Sequence, residues 1–151
     1  MLKNRTAFTM IELIFVIVIL GILAAIALPR FIATRDDAIN SKSAQNIMNA
    51  TSEIATYIVS HSATDKNLSI MSNTIESLEL NGQAILSDNQ ALIKIGNDSN
   101  CLKIKIDSNA NDDTLNINFN TSTTDTKCLA LESIIDSNKY PMKLRGASIV
   151  Y

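Results

Sequence analysis

The sequence feature that most limits the fold is an apolar run from Phe8 to Leu28, which reads FTMIELIFVIVILGILAAIAL. From Leu13 onward, every residue of the run is aliphatic, aromatic or glycine. As an α-helix the run is roughly 30 Å long, about the thickness of the hydrocarbon core of a bilayer. Its apolar residues occupy all faces, so no face suits water. We therefore expect this helix to lie in lipid or inside a bundle of similar helices.

One ionisable residue, Glu12, interrupts the run near its start. An isolated carboxylate in hydrocarbon costs about 2.5 kcal/mol or more unless it lies near the interface or has a partner. Two interpretations are open: Glu12 lies at the headgroup level, or it gains a partner when the chain is processed or assembled. Before the run, residues 1–7 carry Lys3 and Arg5 and no acid. The positive-inside rule then predicts a cytoplasmic N-terminus and export of everything after Leu28.

The short basic leader, the small residue Ala7 and the sequence Phe-Thr-Met-Ile-Glu-Leu resemble the class III signal of type IV prepilins and type II secretion pseudopilins. The resemblance implies that a prepilin peptidase cuts between Ala7 and Phe8 and methylates the new amine of Phe8. Glu12 matches the family's acidic residue, which pairs with the amine of a neighbouring subunit and sets the axial register. Gly21 and Pro29 match its helix-loosening residues. Ala7 departs from the family pattern, in which glycine stands at this position.

The resemblance also implies an organisation: a leader peptide at 1–7, a membrane-spanning and later filament-core helix at 8–28, and an exported pilin-like domain at 29–151. The chain would be a structural subunit of a type IV pilus or a type II secretion pseudopilus. It would sit in the inner membrane with its domain facing the periplasm or, in a filament, on the cell surface. Implied partners are copies of itself, other pilins or pseudopilins, the prepilin peptidase, the inner-membrane assembly platform and membrane lipid. If the chain is a pilus subunit, DNA or surface ligands are further implied partners.

An alternative is an ordinary secretory signal peptide, because Ala25-Ile26-Ala27 fits its small-residue cleavage site. Cleavage there would give a chain that begins at Leu28 and acts as a secreted or membrane-anchored ligand-binding module. Two features argue against this alternative: Glu12 lies inside the required apolar region, and the apolar run is longer than such regions usually are.

Composition narrows the classes of function. The 151 residues carry a formal charge of −2, and removing the leader with its two basic residues leaves 11 basic and 15 acidic side chains. No strong basic bias indicates a nucleic-acid-binding domain. The sequence contains no nucleophile–base set, phosphate loop or metal-ligand motif, and its one histidine, His61, has no companion. The prediction is a protein that is not an enzyme and needs no cofactor.

The two cysteines, Cys101 and Cys128, both fall in the part expected to be exported, where disulfides persist. A metal site or a catalytic thiol would need partner residues that are absent nearby. We therefore predict a disulfide, which would stabilise the domain by roughly 3–4 kcal/mol on the chain-entropy estimate.

The long helix is expected to kink at Pro29 and to continue as an amphipathic helix from Phe31 to His61. Its predicted core stripe is Ile39, Ile47, Ile54 and Ile58, with Met48, Ala55 and Val59 beside it. A second helix is predicted from a cap at Asp65 or Asn67 to a stop at Asn81-Gly82. Its apolar face would be Leu68, Met71, Ile75 and Leu78.

After this point the apolar period changes to two. Strands are predicted at Ala91–Ile95, Cys101–Ile106 and Leu115–Phe119, joined by the turn-rich stretches 96–100 and 107–113. These strands would form an antiparallel meander with one face on the long helix. The fold class is therefore α+β and pilin-like, a long N-terminal helix on a small antiparallel sheet.

The stretch 107–113 offers Asp107, Asp112 and Asp113, which raises the question of calcium. It lacks the spacing and closing glutamate of an EF-hand loop, so a solvated hairpin turn is favoured. Two elements complete the chain. A short helix is predicted after a cap at Thr124 or Asp125, with Cys128, Leu131, Ile134 and Ile135 at helical spacing, and a final strand is predicted from Lys143 to Tyr151.

Overall fold

The computed structural model describes residues 8–109 and 112–145, and it contains the predicted α+β architecture. The helices are α1 (Met10–His61), α2 (Leu68–Met71), α3 (Asn73–Leu80) and α4 (Thr126–Ile134). The strands are β1 (Ala84–Ser87), β2 (Gln90–Ile95), β3 (Asp98–Ser108), β4 (Asp113–Phe119) and β5 (Met142–Arg145), with one 3₁₀ turn at Ser137–Lys139. The chain divides into two compact units after Ala38.

The sheet is a five-stranded antiparallel meander whose spatial order is the chain order, β1-β2-β3-β4-β5. Successive side chains of a strand point to opposite faces of the sheet, and the apolar ones point to the buried face. In β3, for example, Leu102, Ile104 and Ile106 are buried while Lys103 and Lys105 alternate with them. The inner face of the sheet therefore supplies one side of the core of residues 39–151.

The second half of α1 supplies another side of that core. Ala44, Ile47, Ala50, Ile54 and Ile58 are buried along one stripe. This result confirms most of the predicted stripe, with one correction. Ile39 is exposed, and Asn40 is buried at the end of the stripe instead. The reason is angular: at 100° per residue, position 40 lies about 20° from the line through Ile47, whereas position 39 lies about 80° away.

The single helix predicted after residue 65 is in fact two helices. Ser72 has an extended backbone (φ −147°, ψ 115°), and its hydroxyl accepts a hydrogen bond from the N–H of Ile75 as the N-cap of α3. Of the two predicted caps for the first piece, Asn67 performs that role by accepting from the N–H of Ser69. The predicted apolar face is nevertheless buried as expected: Leu68, Met71, Ile75 and Leu78.

The predicted stop at Asn81-Gly82 is confirmed by its hydrogen bonds. The N–H of Gly82 donates to the carbonyl of Glu79 (2.9 Å), and the N–H of Gln83 donates to that of Leu78 (2.8 Å). Gly82 has a φ of +68°, which a residue without a Cβ adopts at little cost. This is the Schellman ending of a helix, and it turns the chain directly into β1.

The strand predictions are confirmed in place and corrected in length. Strand β3 begins at Asp98 rather than Cys101, because pairing with β2 resumes at Ile95↔Asp98 after an irregularity, so the predicted linker shrinks to a tight turn. Strand β1 was not predicted, since its four residues are too few to establish a period. The final strand is present as β5, paired with β4, while the predicted continuation to Tyr151 lies outside the described residues.

Candidate functional site

The first candidate site is the N-terminal part of α1. From Met10 to Ile32 the large apolar side chains are all exposed, by 41% to 80% of their surface. Within the described chain, α1 is the one helix long and apolar enough to cross a membrane, and its most apolar 18-residue window has no buried residue. Aliphatic side chains that find no partner in their own chain need lipid or other copies around them.

Glu12 lies at the start of this helix, where it forms a reciprocal cap with Thr9. The Glu12 carboxylate accepts hydrogen bonds from the backbone N–H of Thr9 (2.9 Å) and from its hydroxyl (2.8 Å). In return, the Thr9 hydroxyl oxygen accepts from the N–H of Glu12 at 3.3 Å. This is the capping box of a threonine followed three residues later by glutamate. Glu12 therefore has a local partner in a single chain, one residue away from Phe8.

Thr9 is a residue that the sequence reasoning missed, although the signal was readable. The spacing Thr-x-x-Glu directly before an apolar helix is the sequence signature of a capping box. Of the two residues at the predicted cut, Phe8 is exposed and precedes the helix, while Ala7 lies outside the described residues.

Gly21 and Pro29 both lie inside α1, which continues through them without interruption. Pro29 has no N–H to donate to the preceding turn. One turn later the Thr34 hydroxyl donates to the carbonyl of Arg30 at 2.9 Å, a contact that often accompanies helix bending. The helix-loosening role of Gly21 and Pro29 remains a prediction.

Comparison with known proteins bears on this segment. Residues 2–28 match the prokaryotic N-terminal methylation motif. This motif is the class III signal of type IV pilins and pseudopilins, so the sequence resemblance is confirmed. The match ends at Leu28 and does not reach the sheet. No curated protein and no solved structure matches the chain.

The methylation motif and the helix geometry agree on a coarse role. A motif for prepilin-type processing stands on a helix that is apolar on every face, which indicates membrane anchoring. The motif points to a structural subunit rather than an enzyme. In residues 8–109 and 112–145, no three His, Cys, Asp or Glu side chains are grouped so that they could hold a metal ion.

The second candidate site is the corner where β3 meets α4. Cys101 and Cys128 form a disulfide there, with Cα atoms 5.6 Å apart and both side chains buried. The neighbouring Asp125, one of the two predicted caps, accepts from the N–H groups of Lys127 (2.8 Å) and Cys128 (3.3 Å) at the start of α4. The disulfide and the cap together fix α4 against the sheet.

Asp125 also holds the turn between β2 and β3, a role that its sequence position did not reveal. Its carboxylate accepts from the N–H of Asn97 at 2.9 Å. Gly96, with φ +60°, approaches so closely that an added Cβ would lie 2.7 Å from both carboxylate oxygens. Hydrogen bonds from the N–H groups of Asn97, Lys127 and Cys128 lower the pKa of Asp125.

Asp98 belongs to the same corner. Hydrogen bonds from the side chain of Thr123, the N–H of Asn100 and the side-chain amide of Asn120 lower the pKa of Asp98. The open hollow between the turn and the 120–126 loop is lined by hydroxyls, amides and these two carboxylates. Because both carboxylates are already hydrogen-bonded within the chain, they act here as structural anchors.

Glu53 of α1 is a third anchor that sequence reasoning missed, because its partners lie about twenty residues away. Its carboxylate accepts from the Ser72 hydroxyl (2.6 Å), the Thr74 N–H (3.0 Å) and the Thr74 hydroxyl (2.9 Å). Burial alone would raise the pKa of Glu53, but these three hydrogen bonds outweigh it, and the pKa is lowered. The negative charge lies at the N-terminus of α3, where the helix dipole favours it.

The stretch considered for calcium is a hairpin, as favoured from the sequence, with Ser108 paired to Asp113. Each of its acids has a partner. Asp107 contacts Lys105 and accepts from the Asn116 amide, Asp112 lies 3.8 Å from Lys143, and buried Asp113 accepts from the Ser108 hydroxyl. Residues 110–111 lie outside the described part.

His61 ends α1 and stacks on Tyr57, with ring centroids 4.1 Å apart. Its Nδ1 lies 2.9 Å from the Ser60 hydroxyl oxygen and 3.0 Å from the carbonyl oxygen of Tyr57. The Ser60 hydroxyl also donates to the carbonyl of Tyr57 (2.9 Å), so its contact with His61 is part of the hydrogen bonding that closes the end of the helix.

Proposed function

We propose that this chain is a structural subunit of a helical filament of the type IV pilus or type II secretion pseudopilus class. The observation that carries the proposal is the methylation motif at residues 2–28 on a helix whose apolar side chains are exposed on all faces. Such a helix can leave lipid and be buried among copies of itself without exposing a polar face. The α+β domain of residues 39–151 supports the same proposal.

Processing follows from the proposal. The prepilin peptidase removes residues 1–7 and methylates Phe8, while residues 8–28 span the inner membrane with a cytoplasmic N-terminus. Residues 29–151 then face the periplasm, and the assembly platform inserts the subunit into the filament. Its partners there are further copies and other pilins or pseudopilins.

Glu12 is the proposed register residue. In the single chain it is bonded to Thr9, next to the position where the new amine of Phe8 would appear. In the filament its carboxylate would pair with the amine of a neighbouring copy. An unpaired carboxylate and an unpaired ammonium inside an apolar bundle are both costly, so the pair favours one axial position over others.

The experiment that tests processing is the mass of the mature protein from the native cell. A chain that begins at methylated Phe8 supports the proposal. A chain that retains Met1, or one that begins at Leu28 as ordinary signal peptidase would leave it, contradicts the proposal. A bulky residue in place of Ala7 should leave the precursor in the membrane, because the peptidase site takes a small residue.

A further inference from the structure

The outer face of the sheet carries a concentration of lysines. The basic face consists of Lys94, Lys103, Lys105 and Lys143, one or two from each of strands β2, β3 and β5. They alternate with the buried residues of their strands and therefore point away from the core. Lys103 and Lys105 lie about 6.8 Å apart along β3, and neighbouring strands are about 4.8 Å apart. The four charges thus share one surface.

Two of these lysines have an acid beside them and two do not. Lys105 contacts Asp107 on the same face, and Lys143 lies 3.8 Å from Asp112. For Lys94 and Lys103, no ion-pair partner occurs among the described residues. Lys103 lies between Leu92 and Asn118 in the register of the sheet. Two lysines are therefore available to an outside acid.

The rest of the domain has the opposite charge. Residues 39–151 contain nine basic and twelve acidic side chains, a formal charge of −3. Setting aside the four lysines of the basic face with Asp107 and Asp112, the acids beside two of them, leaves five basic and ten acidic side chains, or −5. An acidic flank of three exposed residues lies beside the β1 edge: Glu76 and Glu79 on α3, and Asp88 in the turn between β1 and β2. Asp65 and Lys66 line the same hollow as Glu79 and Asp88, and their charges cancel, so the flank stays net acidic.

The kind of partner follows from these charges and from the apolar residues beside them. Ile85 pairs with Leu92 across β1 and β2, and Ile85 is 58% exposed next to the row of Lys103. An apolar pair beside lysines suits a protein surface better than a polyanion. The net negative domain would also repel a long polyanion. A second copy of this chain, in contrast, brings an acidic flank.

We propose that the basic face of one copy docks against the acidic flank of a neighbouring copy, an inference that rests on the proposed filament function. The contact joins two different surfaces, so it can repeat from copy to copy along a helix, as the proposed filament requires. Two basic faces repel each other, which disfavours a dimer that pairs one basic face with another. The bundled N-terminal helices hold the domains at high effective concentration, so modest electrostatic attraction is enough to order them.

Charge reversal with rescue tests the docking in the full-length chain expressed in its native cell. The variants are K94E/K103E on the basic face, E76K/E79K on the acidic flank, and the combination of all four. Each double variant should lower the processed subunit in sheared filaments roughly tenfold relative to membranes, because attraction becomes repulsion at every contact. The combined variant should return to within about threefold of wild type, since the opposite charges face each other again.

The control is K139E, a charge reversal at an exposed lysine of the 3₁₀ turn, outside the strands of the basic face and outside α3 and the β1–β2 turn, and it should assemble like wild type. Equal membrane levels of all variants with an intact disulfide exclude misfolding as the cause. Normal assembly of K94E/K103E overturns the docking, as does a combined variant no better than the doubles. So does normal assembly with loss of binding to heparin, which would assign the face to a polyanion. Absence of filaments from the wild type would instead refute the proposed function.

Discussion

The two units of the chain use the same apolar residue types in opposite ways. Before Ala38, Ile14, Ile19 and Leu23 keep between 41% and 58% of their surface exposed, whereas Ile54 and Ile58 of the same helix are fully buried. Residues 39–151 complete their core within one chain. The N-terminal unit keeps its apolar side chains exposed, so lipid or other copies have to cover them. Stability of the single chain is therefore decided in the second unit, whereas the first unit is proposed to supply the filament core and, through Glu12, its axial register.

The variant expected to have the largest effect on assembly, with little effect on the stability of the domain, is Glu12→Ala. The variant should insert and be processed normally, because the segment becomes more apolar and the cut lies outside it. Filament incorporation should be lost, since the Phe8 amine enters the bundle without its counter-charge, at about 3–5 kcal/mol per subunit. The measurement compares processed subunit in membranes and in sheared filaments. Glu12→Asp should be intermediate, and wild-type assembly of the Ala variant would show that Glu12 is only an interfacial residue.

The next largest effect belongs to the second unit alone. Cys101→Ser should lower the free energy of unfolding of the domain by about 3 kcal/mol, because the open chain regains the entropy of the closed loop. Thermal unfolding with and without reductant measures this effect, and reduction should leave the Cys101→Ser variant unchanged. Equal thiol labelling of the native protein with and without reductant would contradict the disulfide itself.

Acid should also lower the stability of the second unit. The folded-state pKa values of Glu53, Asp98 and Asp125 lie below their ordinary values of 4.5 and 3.8. A lowered pKa in the folded state gives stability that is complete above the ordinary value and is lost as the pH falls through the folded-state value. The melting temperature should therefore be flat near pH 7 and fall by several degrees below about pH 4. An unchanged melting temperature at pH 3 would contradict this linkage.

Glu53→Gln tests one of these anchors by itself. The amide keeps the size of the side chain but removes the charge that faces the N-terminus of α3, so we expect a loss of about 1 kcal/mol for this partly buried site. Urea unfolding measures the loss. Glu132→Gln is the matched control, because Glu132 is an exposed helical glutamate, and it should be nearly neutral.

The smallest effect is expected from Thr9→Val, which keeps the shape of the residue and removes the hydroxyl of the capping box. The helix end should lose about 0.5–1 kcal/mol, while Glu12 keeps its charge and the N–H of residue 9. Filament yield should stay within about threefold of wild type. A loss as large as that of Glu12→Ala would mean that the cap, rather than the charge, limits assembly.

The fold was readable from the sequence wherever a period or a turn residue carried the signal. The burial of Ile54 and Ile58, the ending at Gly82 and the places of β2, β3 and β4 follow from local patterns. The break between α2 and α3 at Ser72 was missed because the apolar spacing continues across it. The break is stabilised by Glu53 of α1, whose carboxylate accepts hydrogen bonds from Ser72 and Thr74. No local pattern contains that contact.

The candidate sites were likewise predictable where the signal is local in sequence and not where it depends on long-range contacts. The methylation motif is contiguous, so the sequence alone identified it, and Thr9 could have been added from its spacing to Glu12. The disulfide predicted from only two cysteines is present. The contacts of Asp125 with Asn97 and Gly96 could not be predicted. These residues lie 28 and 29 positions before Asp125 in the sequence and meet it only after the sheet and α4 have formed.

The agreement between sheet order and chain order has a consequence for the time course of folding. Every strand pairs with the strand made just before or after it, and only the pairing of β4 with β5 has to wait for an intervening helix, α4. A chain exported as proposed can add β1 to β4 as one hairpin after another, each within microseconds once its strands are free. By the time Cys128 follows, Cys101 already lies in a formed strand, and with only two cysteines no wrong pairing exists. Oxidation of that pair is then the slow step, and it needs an oxidant but no reshuffling.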